Sequence, residues 1–162
     1  MRVKYFYIHC SDTPLRQPVT PADLHKWHVI ERGWSRVGYN HLIGVNGERW
    51  DLIPYDDDGI VEWNEVANGV AGDNSQSYHL CIAGGRSWDG KRPMATYTGA
   101  QVKVVKEILT EVITKFPWIK IRGHYQNEST TKSCPNFDVP QFLQSIGIPA
   151  QNIDFGGRKF PL

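Results

Sequence analysis

Three residues of metal-ligating type, far apart along the chain, constrain the fold more than any other feature. Arg122-Gly123-His124 is followed ten residues later by Lys132-Ser133-Cys134-Pro135, and His9 stands near the other end in Tyr7-Ile8-His9-Cys10-Ser11. A fold that uses all three has to bring its first strand beside the last third of the chain. Two imidazoles and one thiolate would give zinc three protein ligands and leave its fourth position open. An open position separates a catalytic zinc from a closed structural one.

Hydrophobic patterning supplies the elements. Val3 to His9 alternates and is rich in Val, Ile and aromatics, which predicts a first strand. Ser11 to Val19 reads as a loop. Thr20-Pro21-Ala22-Asp23 is a helix start, with Thr as N-cap, Pro at the first helical position and an acid at the positive end of the dipole. Leu24, Trp27 and His28 follow at helical spacing until Gly33 stops the helix. Asn46-Gly47, between Tyr39–Val45 and Glu48–Ile53, predicts a hairpin. Asp56 to Ser77 is polar and irregular, a candidate rim. Tyr78 to Ala83 is an internal strand ending at Gly84-Gly85, and Ser87 to Tyr97 another loop. Thr98 to Phe116 carries one apolar stripe (Val102, Val105, Ile108, Leu109, Val112, Ile113) and is the longest helix, ended by Pro117. Trp118 to Arg122 is a short strand leading into His124, and Pro140 to Ile146 a last helix. Strands interleaved with helices predict an α/β fold: one domain over residues 1–162, with a central mixed β-sheet flanked by α-helices.

The net charge of +1 gives no electrostatic case for nucleic acid or an anionic membrane. No apolar run approaches the ~20 residues that span a bilayer. The N-terminal residues turn polar too soon for a signal peptide. Three cysteines, an odd number and widely spaced, argue against a disulfide framework.

Adjacent strand residues point to opposite faces, so His9 belongs in a cleft and Cys10, the more readily buried type, inside. His124 follows a strand end, where loops carry function on a rigid scaffold. Trp34, in Arg32-Gly33-Trp34-Ser35, suits a sugar or peptide groove, or else caps the core. His41 lies two residues after Tyr39 and on a regular strand would share its face, which makes it a candidate substrate contact. Asn74, in the rim, is another. His25 and His28 read as an exposed helix face, and His79 as a satisfied buried imidazole or a cleft wall. Arg36, Arg86 and Arg92 are possible carboxylate binders on charge alone.

Ile8-His9-Cys10-Ser11, Val37-Gly38-Tyr39-Asn40, Asn46-Gly47, Cys81-Ile82-Ala83-Gly84-Gly85, Gly123-His124 and Lys132-x-Cys134-Pro135-x-Phe137-Asp138 occur in that order. The set resembles the zinc-dependent N-acetylmuramoyl-L-alanine amidases of type 2, which include bacteriophage lysozyme-type endolysins and peptidoglycan recognition proteins. The resemblance implies zinc as cofactor, held by His9, His124 and Cys134, with Tyr39 and Lys132 as the catalytic pair. It implies hydrolysis of the amide between N-acetylmuramic acid and L-alanine in peptidoglycan. Lys132 suits the developing oxyanion, Tyr39 could position the water or donate to the same oxyanion, and either could assist proton transfer to the leaving amine. The expected partner is a muropeptide, with no nucleic acid and no stable membrane insertion, and the expected state a monomer. The expected setting is synthesis in the cytoplasm without a signal peptide and action on the cell wall after release or delivery, as a phage lysis enzyme or a delivered toxin.

The chain departs from the family pattern in three places. Tyr125 stands where many members have an acid, the rim Val66–Ser75 has no His, and Ser77-Tyr78-His79 replaces the usual Ser-Ile-Gly. Two rivals remain open on the sequence. One is a non-catalytic peptidoglycan-binding module. The other is a thiol hydrolase with Cys134 or Cys10 as nucleophile and His124 as base.

Overall fold

Strand β1 (Tyr5–Cys10) runs between two parallel neighbours drawn from the middle and the end of the chain, β5 (Ser77–Ile82) and β7 (Lys120–Gly123). The structure is a computed structural model and describes residues 1–161. Beyond β5 lies β3 (His41–Ile43), also parallel, and then β4 (Arg49–Asp51), antiparallel to β3. The order of this mixed sheet is β4-β3-β5-β1-β7. A two-residue ladder of β2 (Thr13–Pro14) with β6 (Gly85–Arg86) extends the line of β1 and β5. Parallel strands are covered on both faces, and all six residues of β5 are buried accordingly.

Helix α2 (Gly99–Lys115) covers one face. Its Val105, Ile108, Leu109 and Val112 meet Phe6, Ile8, Leu80 and Ile82 in the main core. A reciprocal capping box opens it: Gln101 N–H donates to Thr98 Oγ1 at 3.1 Å, and Thr98 N–H to Gln101 Oε1 at 2.9 Å. Helix α3 (Val139–Ser145) adds Val139, Phe142 and Leu143 to the same core. The other face carries Leu42, Cys81 and Ala83, against Leu24 of helix α1 (Pro21–His25).

The helix expected to run from Pro21 to Gly33 is α-helical only to His25. Lys26–Glu31 widens into a π turn, which brings His28 into the interior, and Gly33 ends it at φ 69°. The expected hairpin exists, but its strands pair over three residues each. Asn40, just before β3, adds side-chain bonds to those of its backbone. Its Nδ2 donates to Ile53 O at 3.1 Å and Glu65 O at 2.9 Å, and its Oδ1 accepts from His79 N–H at 2.8 Å. One buried amide thus joins hairpin, rim and β5 beside Tyr39.

The edges of the sheet are short or partly covered. A bridge from Ile153 to Ile121 covers part of the outer edge of β7, with Asp154 N–H donating to Ile121 O at 2.9 Å. At the far edge, Arg49 of β4 forks onto both oxygens of Glu111 at 2.8 Å. No helix among the described residues is long and apolar enough to cross a membrane.

Replacing Asn40 by Ala strands two carbonyls and one N–H in the interior. Urea unfolding is expected to show a loss of about 3 kcal/mol, against little change for a surface control such as Thr114→Ala.

Candidate metal centre

In parallel sheets ligands bind beyond the carboxyl ends of the strands, and there the three candidate ligands meet. Register does most of the positioning. Ile8 pairs with Gly123, so His9 stands beside His124, with ring centroids 4.8 Å apart. Gly123 has no alternative, because a Cβ there would lie 2.7 Å from the Tyr125 ring and 2.8 Å from Val139 Cγ2. Gln126 holds the turn that carries His124: its Oε1 accepts from Gly123 N–H at 2.8 Å, and its Nε2 donates to Asp154 O and Gly156 O. Tyr125 N–H donates to Cys134 O at 2.9 Å, tying the His124 turn to the cysteine loop. The Tyr125 ring is core, and its hydroxyl accepts from Val139 N–H. That accounts for a tyrosine where an acid was expected.

His9, His124 and Cys134 each offer one ligand atom, all within 4.8 Å of one another. His9 Nδ1 lies 3.9 Å from Cys134 Sγ, close to the ~3.5 Å that nitrogen and sulfur keep across a tetrahedral zinc. The donor chemistry fits as well. Burial, with the neighbouring His124 and His79, holds His9 far below the usual imidazole range, and burial beside Lys132 lowers His124 to about 4. Both rings are therefore neutral at pH 7, as metal ligands must be. The Cys10 sulfur 4.0 Å away, together with burial, pushes the Cys134 thiol up, so a bound cation has to displace its proton. The backbone N–H of Cys10, 3.3 Å from Cys134 Sγ, is placed to support the thiolate that results. Two neutral imidazoles and one ionisable thiol suit zinc.

Above this floor opens a cleft of about 330 Å³. Tyr39 and Lys132 both line it. The Tyr39 ring lies 5.0 Å from that of His9, and burial pushes its phenol well up, so its hydroxyl stays a donor. Lys132 is exposed at the mouth. Trp34 forms a wall, stacked 4.8 Å from the ring of His28.

The structure takes two of the sequence candidates out of the cleft. His41 lies on the opposite face, its Nδ1 on Asp51 at 2.6 Å and its Nε2 on the Tyr55 hydroxyl at 2.8 Å. Both nitrogens are engaged, and the same contact draws the Asp51 carboxyl down to about 2. The alternation that put it with Tyr39 fails because β3 begins only at His41. Asn74 folds back on the rim, accepting from Val70 N–H at 2.7 Å, and does not line the cleft. Of the arginines, Arg86 lines the cleft, paired with Asp12, whereas Arg36 braces the rim through Trp63 O and Val66 O. Arg92 lies outside the cleft lining.

Other cleft residues escape a reading of the sequence. His28 is buried, lines the cleft and accepts from Gly38 N–H at 3.1 Å, whereas His25 is exposed. The signal is present: His28 follows Leu24 by four residues, on the apolar side of the helix. Arg32 and Asn68 also line the cleft. His79, completely buried, lies under His9, with its Nδ1 3.1 Å from His9 Nε2.

The N-acetylmuramoyl-L-alanine amidase family matches residues 1–137. The endolysin of Escherichia phage T7 is 31% identical over 142 residues, which cover 85% of this chain and 83% of that protein. The endolysin of Enterobacteria phage K11 is 30% identical over 144 residues, 86% of this chain and 85% of the other. Among solved structures, the Ph2119 endolysin from Thermus scotoductus MAT2119 bacteriophage Ph2119 superposes with a TM-score of 0.70 over 91% of this chain and 86% of its own, at 20% identity. With a family match spanning both histidines and the cysteine of the cleft, and two endolysins that align along most of its length, the chain belongs to the N-acetylmuramoyl-L-alanine amidase family.

Proposed function

We propose that this amidase cuts the bond between N-acetylmuramic acid and L-alanine in bacterial peptidoglycan with one zinc ion, held by His9, His124 and Cys134. The observation that carries the metal is the convergence of those three donors: His124 and Cys134 line a cleft that also presents Tyr39 and Lys132, and His9 is buried beside them. When bound, zinc supplies a Lewis acid and a water activated at neutral pH.

The protein's own groups supply the rest. Lys132 brings a flexible cation to the carbonyl oxygen as charge develops on it. Tyr39 keeps its proton and donates a hydrogen bond to the same oxygen or to the attacking water. Trp34 and His28 offer a flat wall for a sugar or peptide face. Arg32 presents a guanidinium group to stem-peptide carboxylates, whereas that of Arg86 is taken up by Asp12. The endolysin relatives support action on the cell wall. A recognition module that only holds muropeptides has no use for a third ligand or for the pair Tyr39 and Lys132, so their presence together favours the enzyme. A thiol nucleophile at Cys134 would need a lowered thiol, whereas its surroundings raise it.

Purified protein should contain one zinc per chain, and chelation should abolish wall hydrolysis until zinc is returned. The products should carry new N-terminal alanine and no new reducing ends. Activity that survives chelation, or glycan cleavage, would overturn the assignment. Cys134→Ser should lose the metal. Tyr39→Phe and Lys132→Ala should keep it and lower kcat by about 10²–10⁴.

The pH dependence follows from the same site. At pH 7 the two imidazoles are already neutral and the thiol is still protonated. Zinc should therefore release one proton, and its affinity should rise about tenfold per pH unit near neutrality. Calorimetry in buffers of different ionisation enthalpy reads that proton directly. Release of none, or of two, would contradict neutral imidazoles beside a protonated thiol.

A further inference from the structure

The buried polar groups of β5 have no part in the chemistry above. Ser77 and His79 occupy a strand that is otherwise core, yet they stand on the face that β1 shares through Tyr7 and His9. Tyr7 pairs with His79 in the register and stacks on its ring, 5.6 Å between centroids at 14°. Four polar groups then form a line. His9 Nε2 lies 3.1 Å from His79 Nδ1, His79 Nε2 lies 3.2 Å from Ser77 Oγ, and Ser77 Oγ lies 2.7 Å from the carbonyl oxygen of Asp73.

The line has only one sense. A carbonyl oxygen can only accept, so the single hydroxyl proton of Ser77 is committed to Asp73. Ser77 Oγ must then accept from His79 Nε2–H. A neutral imidazole carries one proton, so His79 Nδ1 is bare and accepts from His9 Nε2–H. That leaves His9 Nδ1 bare, and Nδ1 is the nitrogen 3.9 Å from Cys134 Sγ.

We infer that His79 is a positioning residue for the metal: by accepting the Nε2 proton of His9, it holds that ring in the tautomer and orientation that turn Nδ1 toward the ion. Such partners also raise the basicity of the ligand they hold. This role deepens the zinc reading above and depends on it. The surroundings keep the His79 ring from turning away. Asn40 Oδ1 holds its backbone N–H, Tyr7 covers one side of the ring, and the Tyr7 hydroxyl is itself bonded to the Asp73 carboxylate. Gly69 makes the room, since a Cβ there would collide with His79 Nδ1. The imidazole on β5 and the missing side chain on the rim are one arrangement.

The test reads tautomers and metal affinity. In metal-free wild-type protein at neutral pH, nitrogen-15 spectra of the histidine rings should show His9 and His79 both protonated on Nε2 and bare on Nδ1. Zinc affinity, measured by competition with a chromophoric chelator, should fall about 10–100-fold in His79→Leu. His79→Asn, whose side-chain oxygen can accept in place of Nδ1, should recover most of that loss although it too lacks the bond to Ser77. A merely structural role would weaken both variants alike and in step with their melting temperatures. Finding His9 protonated on Nδ1, wild-type affinity in His79→Leu, or equal loss in both variants would overturn the role. Wild-type protein that takes up no zinc would instead overturn the metal reading, while the spectra of the metal-free protein still decide the tautomer.

Discussion

The parallel pairing of β1 with both β5 and β7 is the constraint on which the site depends. Parallel strands end on the same side, so the three strands deliver their last residues to one edge of the sheet. The register then selects which residues meet: with Ile8 against Gly123, His9 arrives beside His124, and with Tyr7 against His79, a second imidazole arrives beneath the first. A slip of one residue in β1 would turn His9 into the main core and Ile8 into the cleft. The alternation of Phe6 and Ile8 with Tyr7 and His9 guards against that slip, because Phe6 and Ile8 are completely buried under α2. The hydrophobic core and the metal ligands are thus fixed by one strand, read on its two faces.

Much of this is legible in the chain. Alternation marks β1, a continuous stripe marks α2, and Asn46-Gly47 marks the hairpin. What escapes is set by partners remote in sequence. Counting along a strand puts His41 and Tyr39 on one face, but β3 begins only at His41, and the Asn40 side chain before it bonds Ile53 and Glu65. His28 shares the apolar side of the helix with Leu24, a signal that its polar type masks, and the widening of the helix after His25 is not legible at all. His79 reads equally as buried or as cleft wall, and its contact with His9 crosses seventy positions of sequence. The ligand set and the pair Tyr39 and Lys132 come from the order of short motifs. Periodicity alone would leave each of them an ordinary histidine, cysteine, tyrosine or lysine.

The framework braces the candidate donors. His124 rides on a turn pinned through Gln126, and the Cys134 loop is tied by Tyr125 N–H to its carbonyl oxygen and by Cys10 N–H to its sulfur. A metal ion bound there would have little chain to order, and would stabilise the fold by simple mass action, unlike small zinc domains that are unfolded without their ion.

The edges of the sheet bear on how the molecule behaves in a crowd of its own copies. An uncovered strand offers a row of free N–H and C=O groups that another chain can join, the usual route to sticky, ordered aggregates. Here the backbone at Ile153 and Asp154 occupies part of that row on β7, and β4 is only three residues long, with its arginine engaged by Glu111. Residues beyond the last helix therefore cover part of that edge. The same residues accept from Gln126, which holds the His124 turn, so shortening the chain at that end would put the solubility of the protein and the geometry of the cleft at risk together.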